Sequence, residues 1–111
     1  MQIYNVLEKA REKGEYILGS AELHTHACYM VFGILGPGEK NREIKPGSGH
    51  EEICCLVNGI VSICRGDDCF EVGPGHAFHL KGDETWMMNN AGTADALYII
   101  SGGHSAPHEH R

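Results

Sequence analysis

The chain has 111 residues, 41% of them hydrophobic and 22% charged, with a formal net charge of −6. That is enough apolar material for one small domain with a buried core, and the composition is not that of a disordered chain. The acidic balance, with no basic stripe, argues against a nucleic-acid partner or an anionic membrane surface, and no apolar run approaches the roughly 18 residues that a membrane-spanning helix needs.

The first five residues, Met1-Gln2-Ile3-Tyr4-Asn5, lack a charged segment followed by an apolar one, so no signal peptide is expected. The cysteines number five (Cys28, Cys54, Cys55, Cys64 and Cys69), an odd count with no Cys-x-x-Cys spacing. Free thiols in the cytoplasm are the matching expectation. A short helix should follow Asn5. Its side chain suits the N-cap, Glu8 sits in capping-box position, and Lys9, Arg11 and Lys13 lie toward the C-terminal end. Gly14 suits the position just past the last turn.

After Gly19 the pattern changes to strands. Glu22 to Leu35 is rich in β-branched and aromatic residues and reads as one long strand, ending at Gly36-Pro37-Gly38. Residues 39–49 are polar and read as loop. Ile53 to Cys64 is a strand pair or one bent strand, broken at Asn58-Gly59, a strong turn signal. Arg65-Gly66-Asp67-Asp68 turns the chain into Cys69–Val72. Gly73-Pro74-Gly75 turns it again into His76–Leu80. Thr85–Asn89 and Asp95–Ser101 complete the set. Short strands with turns at intervals of about 8–12 residues predict an all-β sandwich or barrel. The organisation expected is one domain: helix and lead-in over 1–19, barrel over 20–101, flexible tail over 102–111.

Two stretches carry a family resemblance. Glu52, six residues and then Gly59 is similar to the end of the first cupin motif. Gly75-His76, the turn Lys81-Gly82-Asp83-Glu84-Thr85 and Asn90 are similar to the second. The resemblance covers roughly residues 30–100. It implies a jelly-roll barrel (a double-stranded β-helix) with the short N-terminal helix added, often as a homodimer. It also implies a metal site built from a His-x-His pair, a Glu and a later His. Counting along the motifs, the first pair falls on Pro46 and Ser48 (Lys45 and Gly47 with longer spacing), and the later His falls on Trp86 (Thr85 if the turn is shorter). Glu52 alone remains, and one carboxylate does not hold Fe, Mn, Ni or Zn, which need three or four ligands.

The chain has eight histidines, so a relocated divalent transition-metal site is conceivable. Strand alternation puts His24, His26, Cys28, Met30 and Phe32 on one face. If that face points inward, His24 and His26 would join His50 and Glu52, which share parity, around a metal. His76 and His79 have opposite parity, so at most one would face in. Surface histidines with no ligand role are the plainer alternative. Trp86 would offer a stacking face at the cavity or fill the space a metal site leaves. Glu52, Trp86, His79, Cys54 and Met30 are the candidate pocket residues. Cys64 and Cys69 flank a four-residue turn and can face each other; a reducing compartment favours two thiols.

Three functions follow. The first is a cupin-type barrel binding a small molecule in a divergent pocket without metal. The second is a metal-dependent enzyme of dioxygenase, isomerase or decarboxylase type with relocated ligands. The third is a structural or partner-binding barrel with no pocket.

Overall fold

The computed structural model describes residues 1–104. Its elements, in chain order, are α1 (Val6–Lys13), β1 (Glu15–Leu18), α2 (Ser20–Leu23), β2 (Tyr29–Leu35), β3 (Arg42–Ile44), β4 (His50–Asn58), β5 (Val61–Arg65), β6 (Asp68–Val72), β7 (Ala77–Lys81), β8 (Trp86–Asn89) and β9 (Ala96–His104). The helix α1 forms as its caps dictate. The Asn5 side chain accepts a hydrogen bond from Glu8 N, and Gly14 closes the last turn in the left-handed region, its N–H reaching Ala10 O.

The strands form two sheets, ordered β1-β2-β9-β4-β7 and β3-β8-β5-β6. Neighbouring strands pair antiparallel throughout. The apolar core lies between the sheets. Alternation sets the inward face: Val31 and Leu35 on β2, Cys54 and Leu56 on β4, Val61 and Ile63 on β5, and Tyr98 and Ile100 on β9 are all buried.

Three expectations change and one is narrowed. Glu22–Leu35 is not one strand. The Glu22 carboxylate accepts from Gly19 N and from the Tyr16 hydroxyl, which ties residues 20–23 into a helical turn, α2, ending at His24 in the left-handed region. The strand starts only at Tyr29. Two further strands lie where none was expected, β1 within the lead-in and β3 within residues 39–49. The run Ile53–Cys64 breaks at Asn58-Gly59 as expected, but its two strands do not pair with each other: β4 and β5 belong to different sheets. Gly59 has φ of +88°, and Ala96 approaches so closely that a side chain there would collide with it. Finally, β9 runs through His104, three residues into the expected tail. Residues 105–111, with His108 and His110, lie outside the described residues.

Cys64 and Cys69 are direct cross-strand partners on β5 and β6, and they form a disulfide. This corrects the expectation of two thiols. The turn between them is tighter than expected, with only Gly66 and Asp67 between the strands, and it brings their α-carbons to 4.1 Å. The bond also removes the cysteine pattern as support for a reducing compartment. Among the described residues no helix is long and apolar enough to cross a membrane.

Candidate functional site

The inward faces of β2, β4 and β9 end in polar residues at one mouth of the barrel. There a cleft of about 410 Å³ opens between the sheets. Val31, Ile44 and Ile100 form its apolar floor. Tyr29, Glu52, His50 and His104 stand above them, with His26, Cys28, Glu15 and Lys45 also on its walls.

Glu52 is the deepest charged group, 7% exposed. Its Oε2 accepts a 2.6 Å hydrogen bond from the Tyr29 hydroxyl. Burial pushes the carboxyl above its ordinary range; the Tyr29 hydrogen bond and the His50 charge pull the other way, and Glu15 adds to the rise. Burial and the hydrogen bond to Glu52 raise the Tyr29 phenol, which therefore stays protonated and donates. The Tyr29 ring meets His50 edge-on at 5.7 Å, and His50 meets His104, its cross-strand partner, at 4.9 Å between centroids. Tyr29 has room to lie across the sheet because its own partner on β9 is Gly102, where a β-carbon would collide with the ring.

A second Tyr–Gly pair repeats this arrangement on the same strands. Gly33 on β2 lies opposite Tyr98 on β9 and gives the Tyr98 ring its space. The buried Tyr98 hydroxyl donates to Glu15 at 2.7 Å and accepts from Arg42 at 3.2 Å. Arg42 also donates to Gly14 O and pairs with Glu39. The network pins the back of the cleft to the end of α1.

The expected site residues divide. Glu52 and His50 share the inward face of β4, as their parity predicts, and His26 reaches the cleft from the loop after α2. His24 is exposed at the end of α2 and does not line the cleft. Its place on a common strand face with His26 is lost because residues 24–28 are not a strand. The inward residues of β2 are the odd ones, Tyr29, Val31, Gly33 and Leu35, so Met30 falls on the outer face and does not line the cleft. Cys54 faces inward but is completely buried beneath Glu52, with its thiol pushed up to about 12 by burial. It packs as a small apolar side chain, and burial disfavours its thiolate.

His79 lies on the outer face of β7, 2.7 Å from Glu51. Trp86 faces the interior, packed on the core, but lines a different hollow with Phe70 and Phe78. Its cross-strand partner Ile44 lines the cleft, whereas Trp86 does not. Sequence reasoning missed Tyr29, Glu15 and His104. The usable signal was the pairing of two tyrosines with two glycines on β2 and β9, which is visible only once the register is known.

Among the described residues, no three His, Cys, Asp or Glu side chains are placed to hold a metal ion. The family's usual ligand set does not fit here. Trp86 and Pro46 stand at ligand positions, and the one remaining carboxylate is engaged by Tyr29.

No family model and no curated protein matches the sequence. Solved structures do match in shape. A cupin protein from Bacteroides fragilis superposes with a TM-score of 0.72 at 13% identity, covering 100% of this chain and 87% of that one. The cupin_2 domain of an XRE family transcriptional regulator from Enterobacter cloacae gives 0.68 at 14%, covering 85% and 100%. A sugar phosphate isomerase from a cupin superfamily, from Silicibacter pomeroyi, gives 0.64 at 17%, covering 94% and 68%. At these identities the likeness establishes architecture and leaves activity open, and it agrees with the two-sheet topology and the motif positions: the chain has the cupin fold.

Proposed function

We propose that this protein binds a small polar molecule in the cleft at the barrel mouth, held by the Glu52 carboxylate. One observation carries the reading. Glu52 sits at the inner end of a cleft of about 410 Å³ with Oε2 bonded to Tyr29, while Oε1 has no hydrogen-bond partner among the described residues and is not shut away from the cleft. A buried carboxylate with one open oxygen favours a ligand that brings its own donor, a hydroxyl or an amine. The His50 and His104 rings, whose nitrogens make no hydrogen bond among the described residues, offer further donors and acceptors at the rim. The volume lies within the range of small-molecule pockets, roughly 300–1,000 Å³.

The test is a thermal-shift screen of polyols, amino alcohols and amines, followed by calorimetry on any hit. Binding that Glu52→Gln weakens by roughly tenfold or more, the loss of a charge-assisted hydrogen bond, supports the reading. A ligand bound equally well by Glu52→Gln and Tyr29→Phe overturns it, as does the absence of any hit. The barrel without a pocket is disfavoured by the cleft itself. A homodimer, which the family resemblance implies, would have an apolar surface available on β4, where Ile53 and Val57 are 54% and 47% exposed. Sedimentation of the full chain measures it.

A further inference from the structure

The second hollow lies where the two sheets fail to close. β6 and β7 are each an edge strand of their sheet. Between them an apolar slot of about 230 Å³ is lined by Ile63, Phe70, Val72, Phe78, Leu80 and Trp86, with His79 at the rim. Phe70 is cross-strand to the buried Ile63 and so has inward parity, yet it is 58% exposed. Its ring leans on Trp86 at 5.9 Å. An exposed aromatic at an inward position means that the edges leave the slot accessible. An apolar cavity of about 150 Å³ is enough to admit a benzene ring, so this slot accommodates a six-membered ring with a short substituent.

The rim carries a cation. The Arg65 guanidinium stands 5.9 Å from the centre of the Trp86 ring. Its partner there is Glu84, 3.7 Å away, with the arginine side chain 52% exposed and the glutamate 28%. Such pairs contribute about 0–1 kcal/mol, so an incoming carboxylate competes with Glu84 at little cost. Glu84 itself is held back on its own loop, its Oε1 accepting from Lys81 N. The other rim group, His79, is engaged with Glu51.

We infer that the slot between β6 and β7 is a second ligand site, separate from the cleft, which takes an arene or short branched-chain carboxylate. The apolar part packs on Trp86 and Phe78, and the carboxylate lies against Arg65. The inference does not depend on what occupies the cleft.

Trp86 is the one tryptophan in the chain, so its fluorescence reports this slot directly. Phenylacetate is the probe, with benzyl alcohol as the uncharged counterpart. The expected result is a saturable change in Trp86 emission with phenylacetate, and affinity lower for benzyl alcohol. Arg65→Gln, on an exposed side chain, should weaken phenylacetate by roughly tenfold, the loss of a charge-assisted contact, and leave benzyl alcohol unchanged. Phe70→Ser should weaken both. Methyl NMR locates the probe independently: Ile63, Val72 and Leu80 signals should shift, and Val31, Ile44 and Ile100 signals in the cleft should not. Absence of saturation, equal phenylacetate affinity in Arg65→Gln, or shifts confined to the cleft methyls would each overturn the proposal.

Discussion

Tyr29 and Gly102 are partners across β2 and β9, and the missing side chain at 102 lets the Tyr29 hydroxyl reach Glu52 at 2.6 Å. The relationship makes a glycine in a strand interior, ordinarily a weak choice, a requirement of the site. Gly102→Ala should displace the ring and cost about 1 to 3 kcal/mol, as overpacking does. It should also break the Tyr29–Glu52 bond. Urea unfolding measures the first effect. The second shows as a change in ligand affinity at the cleft that Tyr29→Phe reproduces. A Gly102→Ala protein with unchanged stability would mean that the ring is not confined there.

Glu52 makes stability depend on pH in a definite direction. Its folded-state pKa is raised above the ordinary 4.5, chiefly by burial. A group raised on folding contributes stability that is fully present below its unfolded value and is lost as pH rises through the folded one. Wild type should therefore lose this contribution as pH climbs through and above the ordinary carboxylate range, whereas Glu52→Gln, neutral throughout, should not. The stability of Glu52→Gln relative to wild type is expected to rise over that interval and then level off. Denaturant unfolding at a series of pH values checks it; a flat difference would show that Glu52 titrates alike in both states.

Arg42 should matter more than its place at a sheet edge suggests. It donates to the buried Tyr98 hydroxyl and to Gly14 O, so it links β3 to β9 and to the end of α1. Tyr98 in turn donates to Glu15. Arg42→Met would leave Gly14 O without this donor and the Glu15–Tyr98 pair without its cation. The expected loss is about 2 to 4 kcal/mol, in the range for breaking a partly buried charged network. Tyr98→Phe should cost less, about 1 kcal/mol, because the ring keeps its packing against Gly33. Thermal unfolding that ranks the two the other way would place the weight on Tyr98 and not on Arg42.

Local signals gave the sequence most of its legible content. The α1 caps, the turn at Gly66-Asp67 and the spacing from Glu52 to Gly59 are settled within a few residues of themselves, and they point to the barrel. The site was less legible because its residues depend on pairing between distant strands. His24, His26, Cys28, Met30 and Phe32 alternate as a strand should, yet Glu22 bonded to Gly19 N and Tyr16 turns the first part of that run into a helical cap. The strand then begins at Tyr29 with the opposite parity facing inward. Nothing within the run states that parity. It is decided by Gly33 and Gly102 accepting two tyrosine rings across β2 and β9.

The five cysteines should separate cleanly by reactivity. Cys64 and Cys69 are joined, Cys28 is exposed, Cys55 is partly covered and Cys54 is fully buried with its thiol pushed up to about 12. Under native, non-reducing conditions iodoacetamide should modify Cys28 first and Cys55 more slowly. Cys54 should remain untouched until unfolding, because the thiolate is the reacting species and burial disfavours it. Mass spectrometry of the native, oxidised protein should find no label on Cys64 or Cys69. Cys64→Ser with Cys69→Ser should lower stability by about 2 kcal/mol, what closing so short a loop contributes on the chain-entropy account. Rapid native labelling of Cys54 would show that the wall of the barrel beneath Glu52 opens on the labelling timescale.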